Sequence, residues 1–203
     1  MDENPTNFGW FFRLEEDGIY PTISVIEGVD REEVIQILAG EDAERERMSV
    51  KEAIDEVTRD VDVIGLGEDS GLVFTIEAIS STLAVPGVLR EISQNGRCVS
   101  ATFSSEGVCS FHYAVRGELV AYEFDAGYPV WPLIARDDRW DVTWSEATAE
   151  FDENEIVQGV HLLSLIGQVM GIAPQASWFK HQLWTIKIPC SVQFEGSPAW
   201  NIP

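Results

Sequence analysis

GRCVSATFSSEGVCSFHYAVRGELVAYEFDAG, residues 96–127, consists of three runs rich in Val, Phe, Tyr and Thr, broken at Ser105-Glu106-Gly107 and at Arg116-Gly117. Runs of this kind with short Gly-containing breaks read as an antiparallel meander. A two-residue turn at Arg116-Gly117 sets Val115 opposite Glu118. Tyr113 then faces Val120, Phe111 faces Tyr122 and Cys109 faces Phe124. A three-residue loop with Gly107 in the left-handed position sets Phe103 opposite Cys109, Ala101 opposite Phe111 and Val99 opposite Tyr113. Side chains alternate faces along a strand. Both turns therefore gather Val99, Ala101, Phe103, Cys109, Phe111, Tyr113, Val115, Val120, Tyr122 and Phe124 on one face, which is core. The opposite face carries Cys98, Ser100, Thr102, Ser110, His112, Ala114, Ala121 and Glu123, all small or polar.

Working outward, residues 20–27 (YPTISVIE) read as a strand with proline near its start. Asp30-Arg31-Glu32-Glu33 and Ser49-Val50-Lys51-Glu52 are two capping boxes. The first opens a helix that stops at Gly40, and the second opens one running to about Arg59. Between them, residues 41–48 (EDAERERM) read as a solvated charged linker. Residues 61–66 and 72–78 form a hairpin, and Pro86 takes a first-turn position in a short helix ended by Asn95-Gly96. Residues 127–144 show no period and read as an ordered loop. Residues 155–170 are apolar nearly all round, which marks a buried helix. Residues 183–188 form a strand in a tail that also carries Trp178, Trp184 and Trp200. The expected fold is α+β: a mostly antiparallel sheet of five to seven strands, including the meander 97–124, with a long buried helix (155–170) packed on its apolar face. The expected organisation is a domain over 1–174 and a Trp-rich tail, 175–203, packed on or docked to it.

Composition narrows the function. The 203 residues hold 13 Lys plus Arg against 35 Asp plus Glu, a net charge of −22. Direct nucleic-acid or anionic-membrane binding needs a basic footprint and is disfavoured. An acidic surface steers toward a basic partner, or reflects solubility or a high-salt host, in keeping with only three lysines. No run reaches the ~20 apolar residues of a membrane helix, and the first residues lack a signal-peptide pattern, so a cytoplasmic location is expected. Three cysteines, Cys98, Cys109 and Cys190, do not suggest a disulfide scaffold. The register points Cys98 and Cys109 to opposite faces.

The common phosphate-loop, zinc-helix, paired-cysteine and nucleophile-elbow motifs are absent from the sequence. His112, with Glu123 on the diagonal of the same face, is the candidate for an acid-base pair. His161 reads as a structural group in its helix and His181 as a surface residue. Asp60 with Asp62, and Asp137-Asp138 with Asp141, lack the spacing of a calcium loop, so neither a metal nor a cofactor is expected. Seven Trp are many for this length. Trp131, Trp140 and Trp144 suit either a docking surface or a second small core.

TISVIEGVDREEVIQILAG (residues 22–40), GLVFTIE (71–77), the meander ending in RGELVAYEFDAG, and GQVMGI together resemble an uncharacterised, mainly actinobacterial family of domains of unknown function. The resemblance covers roughly residues 8–172. It departs after the third meander strand, where Tyr128-Pro129-Val130-Trp131-Pro132 replaces an Arg-x-Gly element, and in the charged stretch 41–60. It implies the fold and no activity. The expected function is a non-catalytic acidic module that binds a basic protein partner, as immunity proteins and antitoxins do. Its contact residues are expected to be Glu41, Asp42, Glu44, Glu46, Trp131, Trp140 and Trp144. The alternatives are an enzyme of unrecognised type using His112 and Glu123, or a structural subunit of a larger assembly.

Overall fold

A computed structural model describes residues 8–105, 109–122 and 158–189. Eight strands form one sheet: β1 (Thr22–Glu27), β2 (Arg45–Met48), β3 (Val61–Asp69), β4 (Leu72–Glu77), β5 (Arg97–Phe103), β6 (Cys109–Val115), β7 (Glu118–Tyr122) and β8 (Leu183–Pro189). Their order is β2-β8-β3-β4-β1-β5-β6-β7, and every described pairing is antiparallel. The helices are α1 (Gly9–Glu16), α2 (Arg31–Ala39), α3 (Val50–Glu56), α4 (Pro86–Ile92), α5 (Gln158–Met170) and α6 (Ala176–Lys180), with a 3-10 turn over Thr82–Ala84. The α+β class with an antiparallel sheet is what the strand patterns predict.

The register between β5 and β6 matches the sequence derivation at Phe103–Cys109, Ala101–Phe111 and Val99–Tyr113. Between β6 and β7 the derivation holds only next to the turn. Val115 faces Glu118, but Tyr113 faces Ala121 and His112 faces Tyr122. The cause is a bulge at Val120, where one extra residue enters β7 and shifts the ladder. Arg116 and Gly117 take φ of +50° and +76°, the left-handed pair of a type I′ turn, as Ser70 and Gly71 do at +52° and +81°. The β3–β4 loop is thus two residues rather than the five expected, because β3 continues in register through Asp69.

The apolar face of the meander is buried: Val99, Ala101, Phe103, Phe111, Tyr113 and Val120 join a cluster with Phe11 of α1, Leu162, Leu163, Leu165 and Ile166 of α5, and Trp178 of α6. The helix expected over 155–170 is described from Gln158 and is buried on one side only, with Gln168 exposed. Arg97 ties it down, donating from Nη1 to the Val169 carbonyl at 2.7 Å while its Nε pairs with Glu27.

The small-residue face is also interior. Cys98 and Ala114 are fully buried in a second cluster with Ile26, Ile64, Leu66, Leu89, Ile92 and Ile186. Here α2 packs on β3 and β8, and α4 packs on β5, β6 and β7. Small side chains admit these helices closely, and the polar ones pair with each other. The Ser24 hydroxyl donates to Ser100 Oγ at 3.0 Å, and Thr22 Oγ1 lies 2.8 Å from the Ser80 carbonyl oxygen. Cys98 and Cys109 fall in different clusters, on the two faces.

Both capping boxes are present, Asp30 accepting from the Glu33 amide at 2.9 Å and Ser49 from the Glu52 amide at 3.2 Å. The second helix ends at Glu56, short of Arg59. The supposed linker 41–48 is corrected: residues 45–48 are strand β2, hydrogen-bonded to β8. Its charged sequence conceals a strand because three of its four residues are exposed at the sheet edge, where alternation carries no core signal. Strand β8, from the tail, lies inside the sheet between β2 and β3.

Candidate functional site

Among the described residues, β2 has a neighbour on one side only, so its outer main-chain groups form an open edge. The register places Glu46 and Met48 over Thr185 and Leu183, on the face where α3 packs. Arg45 and Arg47 lie over Ile186 and Trp184, on the α2 face. The two arginines fold back on the protein. Arg45 Nη1 pairs with Glu32 Oε2 of α2 at 2.6 Å. Arg47 Nη1 donates to the Gln182 carbonyl at 3.1 Å, and its guanidinium sits 4.6 Å from the centre of the Trp184 ring.

The acids at this edge are less satisfied. Glu41, Asp42, Glu44 and Glu46 are all exposed. Lys187 donates to Glu56 Oε2 at 2.8 Å, and the field of Glu56, Glu46 and Glu44 holds its ammonium above the ordinary lysine range. One lysine thus faces three carboxylates. The α3 side of the edge carries surplus negative charge. The remaining expected contact residues, Trp131, Trp140 and Trp144, lie outside the described residues.

Beside this edge, where β8 begins, a cleft of about 370 Å³ is lined by Arg31, Arg47, Trp178, His181 and Trp184 among others. The Arg31 guanidinium lies 5.5 Å from the Trp184 ring centre and 3.6 Å from Glu68 Oε2. Trp178 stacks on Phe74 at 4.0 Å and donates from Nε1 to Asp69 Oδ2 at 2.8 Å. The arginine–tryptophan contacts escape a reading of the sequence, since they depend on pairing β2 with β8 across 135 residues. The only available signal was the strand pattern of residues 183–188.

The proposed acid-base pair has a different setting. His112 is 3% exposed, with Nε2 3.0 Å from Ser110 Oγ. Burial pushes its pKa down to about 4, so the ring is neutral at pH 7. Its partner Glu123 lies outside the described residues. Because the folded value lies below the ordinary 6.5, the stability from this neutral ring is present above pH 6.5 and is lost as pH falls toward 4. A His112→Gln variant is expected to lose less stability than the wild type over that window, as urea unfolding at a series of pH values would measure.

The same polar face holds a group the sequence reading missed. Glu77 is fully buried. Its Oε2 accepts from Ser80 Oγ at 2.8 Å and from the Thr82 amide at 2.6 Å, and its Oε1 accepts from the Leu83 amide at 3.0 Å. Burial pushes the carboxyl up to about 7 against the opposing effect of these donors. Glu77 alternates in phase with Val73 and Thr75, which set its face; its burial was not visible, because GLVFTIE gives no sign of a covering 3-10 turn. Asp62, 8% exposed, accepts from Thr82 Oγ1 at 3.3 Å, and Asp60 is exposed. Asp137, Asp138 and Asp141 lie outside the described residues, and among those described no three His, Cys, Asp or Glu side chains converge as metal ligands do. Burial pushes the Cys109 thiol up to about 11 and the Cys98 thiol higher still, which makes both poor nucleophiles. His181 is exposed at the cleft.

No helix among the described residues is long and apolar enough to cross a membrane. Compared with protein-family models, with curated proteins and with solved structures, the chain has no match in any of the three.

Proposed function

We propose that this chain is a non-catalytic, acidic protein-binding module that neutralises a basic protein partner in the manner of an immunity protein or antitoxin. The observation that carries the reading is the exposed run Glu41, Asp42, Glu44 and Glu46 leading into a sheet edge that no other described strand covers, on a chain of net charge −22. Such a surface draws a basic partner in from solution and fixes its orientation. The buried stripe of His112, Glu77 and Asp62 is, on this reading, internal support rather than a site of chemistry. The proposal includes a cytoplasmic location, a long helix over 155–170 closing the apolar face, further contacts from Trp131, Trp140 and Trp144, no cofactor, and membership of the actinobacterial family described above.

The test is a partner captured from the native host, followed by calorimetry with wild type and with the Glu41→Lys, Asp42→Lys, Glu44→Lys, Glu46→Lys variant. The expected result is a dissociation constant raised at least ~10-fold, since each reversal both removes an attraction and adds a repulsion. An unchanged constant contradicts the proposal, as does turnover of a substrate by the pure protein.

A further inference from the structure

We infer that the occupant of the β2 edge is an extended segment of the partner, added as a ninth strand, with Lys or Arg at every second position and neutral residues between. This rests on the acidic docking surface proposed above and states how the partner is held.

Three observations define the segment. The first is that, among the described residues, β2 is paired on one side only: strand addition satisfies its outer N–H and C=O groups and needs no pocket. The second is the separation of charge by face. In an antiparallel ladder, residues directly opposite share a face. An added strand therefore meets Glu46 and the Glu44–Glu56–Lys187 group with one set of side chains, on the α3 side. Basic residues there meet the surplus negative charge. The alternate set lies along Arg45 and Arg47, already engaged by Glu32, Gln182 and Trp184, and so takes neutral residues.

The third observation weighs against a second copy of this chain. Two β2 strands paired about a two-fold axis perpendicular to the sheet keep acids on one face and arginines on the other. Centred on Glu46, such a ladder sets glutamate opposite glutamate and Arg45 opposite Arg47; centred on Arg45 it sets Glu44 opposite Glu46, and centred on Arg47 it sets that arginine against its own copy, and like charges directly opposite destabilise a ladder. These like-charge pairs disfavour a second copy and favour a basic strand.

The experiment uses the full chain, isotopically labelled, and three synthetic heptapeptides: an alternating Lys-Val peptide, the same peptide methylated on alternate backbone nitrogens, and an alternating Glu-Val peptide. Affinity and amide hydrogen exchange are measured together. The expected result is slowed exchange at those amides of Arg45–Met48 that point away from β8, binding at least ~10-fold weaker for the methylated peptide, and no binding of the acidic one. Equal binding of the methylated peptide, or protection mapped to another part of the chain, overturns strand addition while leaving the acidic docking surface intact. So does a failure of all three peptides when the native complex is still sensitive to the four reversals. Insensitivity of the native complex to those reversals is the separate result that removes the docking surface itself.

Discussion

Replacing Glu77 by Ala lowers the unfolding free energy by about 4 kcal/mol, measured by urea unfolding near neutral pH. The carboxylate receives two backbone amides and one hydroxyl from the segment that folds over it. Thr82 and Leu83 are themselves buried, at 3% and 0% exposure, so water cannot replace the lost acceptor. Each orphaned amide costs about 1–3 kcal/mol, and the emptied volume adds a cavity term. The variant should also expose the stretch from Ser80 to Leu83 to hydrogen exchange, since Glu77 holds it to the sheet.

The Glu77→Gln variant reads the same group through pH. The folded carboxyl is raised to about 7 from an ordinary 4.5, so the folded chain binds this proton more tightly than the unfolded one. Its contribution is complete below 4.5 and is lost as pH rises through 7. The stability advantage of wild type over Glu77→Gln is therefore expected to shrink between about pH 5 and pH 8. His112 acts with the opposite sign over an overlapping range, so the two partly cancel in the wild type and each variant uncovers the other. An advantage that stays flat across that window would mean that Glu77 is ionised in the fold throughout.

Gly96→Ala is the second large loss, about 3 kcal/mol or more. Gly96 follows α4 and opens β5, and there its backbone crosses that of Glu27 and Gly28 at the end of β1. A Cβ on Gly96 would run into the Glu27 carbonyl, and one on Gly28 would stand 2.5 Å from the Asn95 carbonyl oxygen. The obstacle in both cases is main chain, and Glu27 is held in the β1–β5 ladder opposite Arg97, so it cannot swing aside. A melting temperature for Gly96→Ala within a degree or so of wild type would show that the two strands do not approach this closely.

The meander was legible because its information is local. Two turns and a period of two suffice to set Phe103, Phe111 and Tyr113 on one face, and both capping boxes announce their helices within four residues. What escaped was long-range. The bulge at Val120 leaves no mark in a run of apolar residues. Strand β2 hides its identity because an edge strand of charged residues looks like a linker until its partner, β8, is brought to it from the other end of the chain. The small-residue face carried no sign of what covers it: its small and polar side chains let α2 and α4 approach and bond to each other beneath them. Of the candidate site, the exposed acids at 41–46 were legible from composition, and their place on a free sheet edge was not.

The dissociation constant of the partner complex against salt tests the account most directly. Between about 50 and about 300 mM NaCl the Debye length shrinks by more than half. An acidic edge that holds a basic strand predicts a constant rising at least ~10-fold over that range, with most of the rise absent from the four-fold Lys variant. A constant that stays flat within about two-fold would place the energy of binding in apolar contact elsewhere and contradict the account.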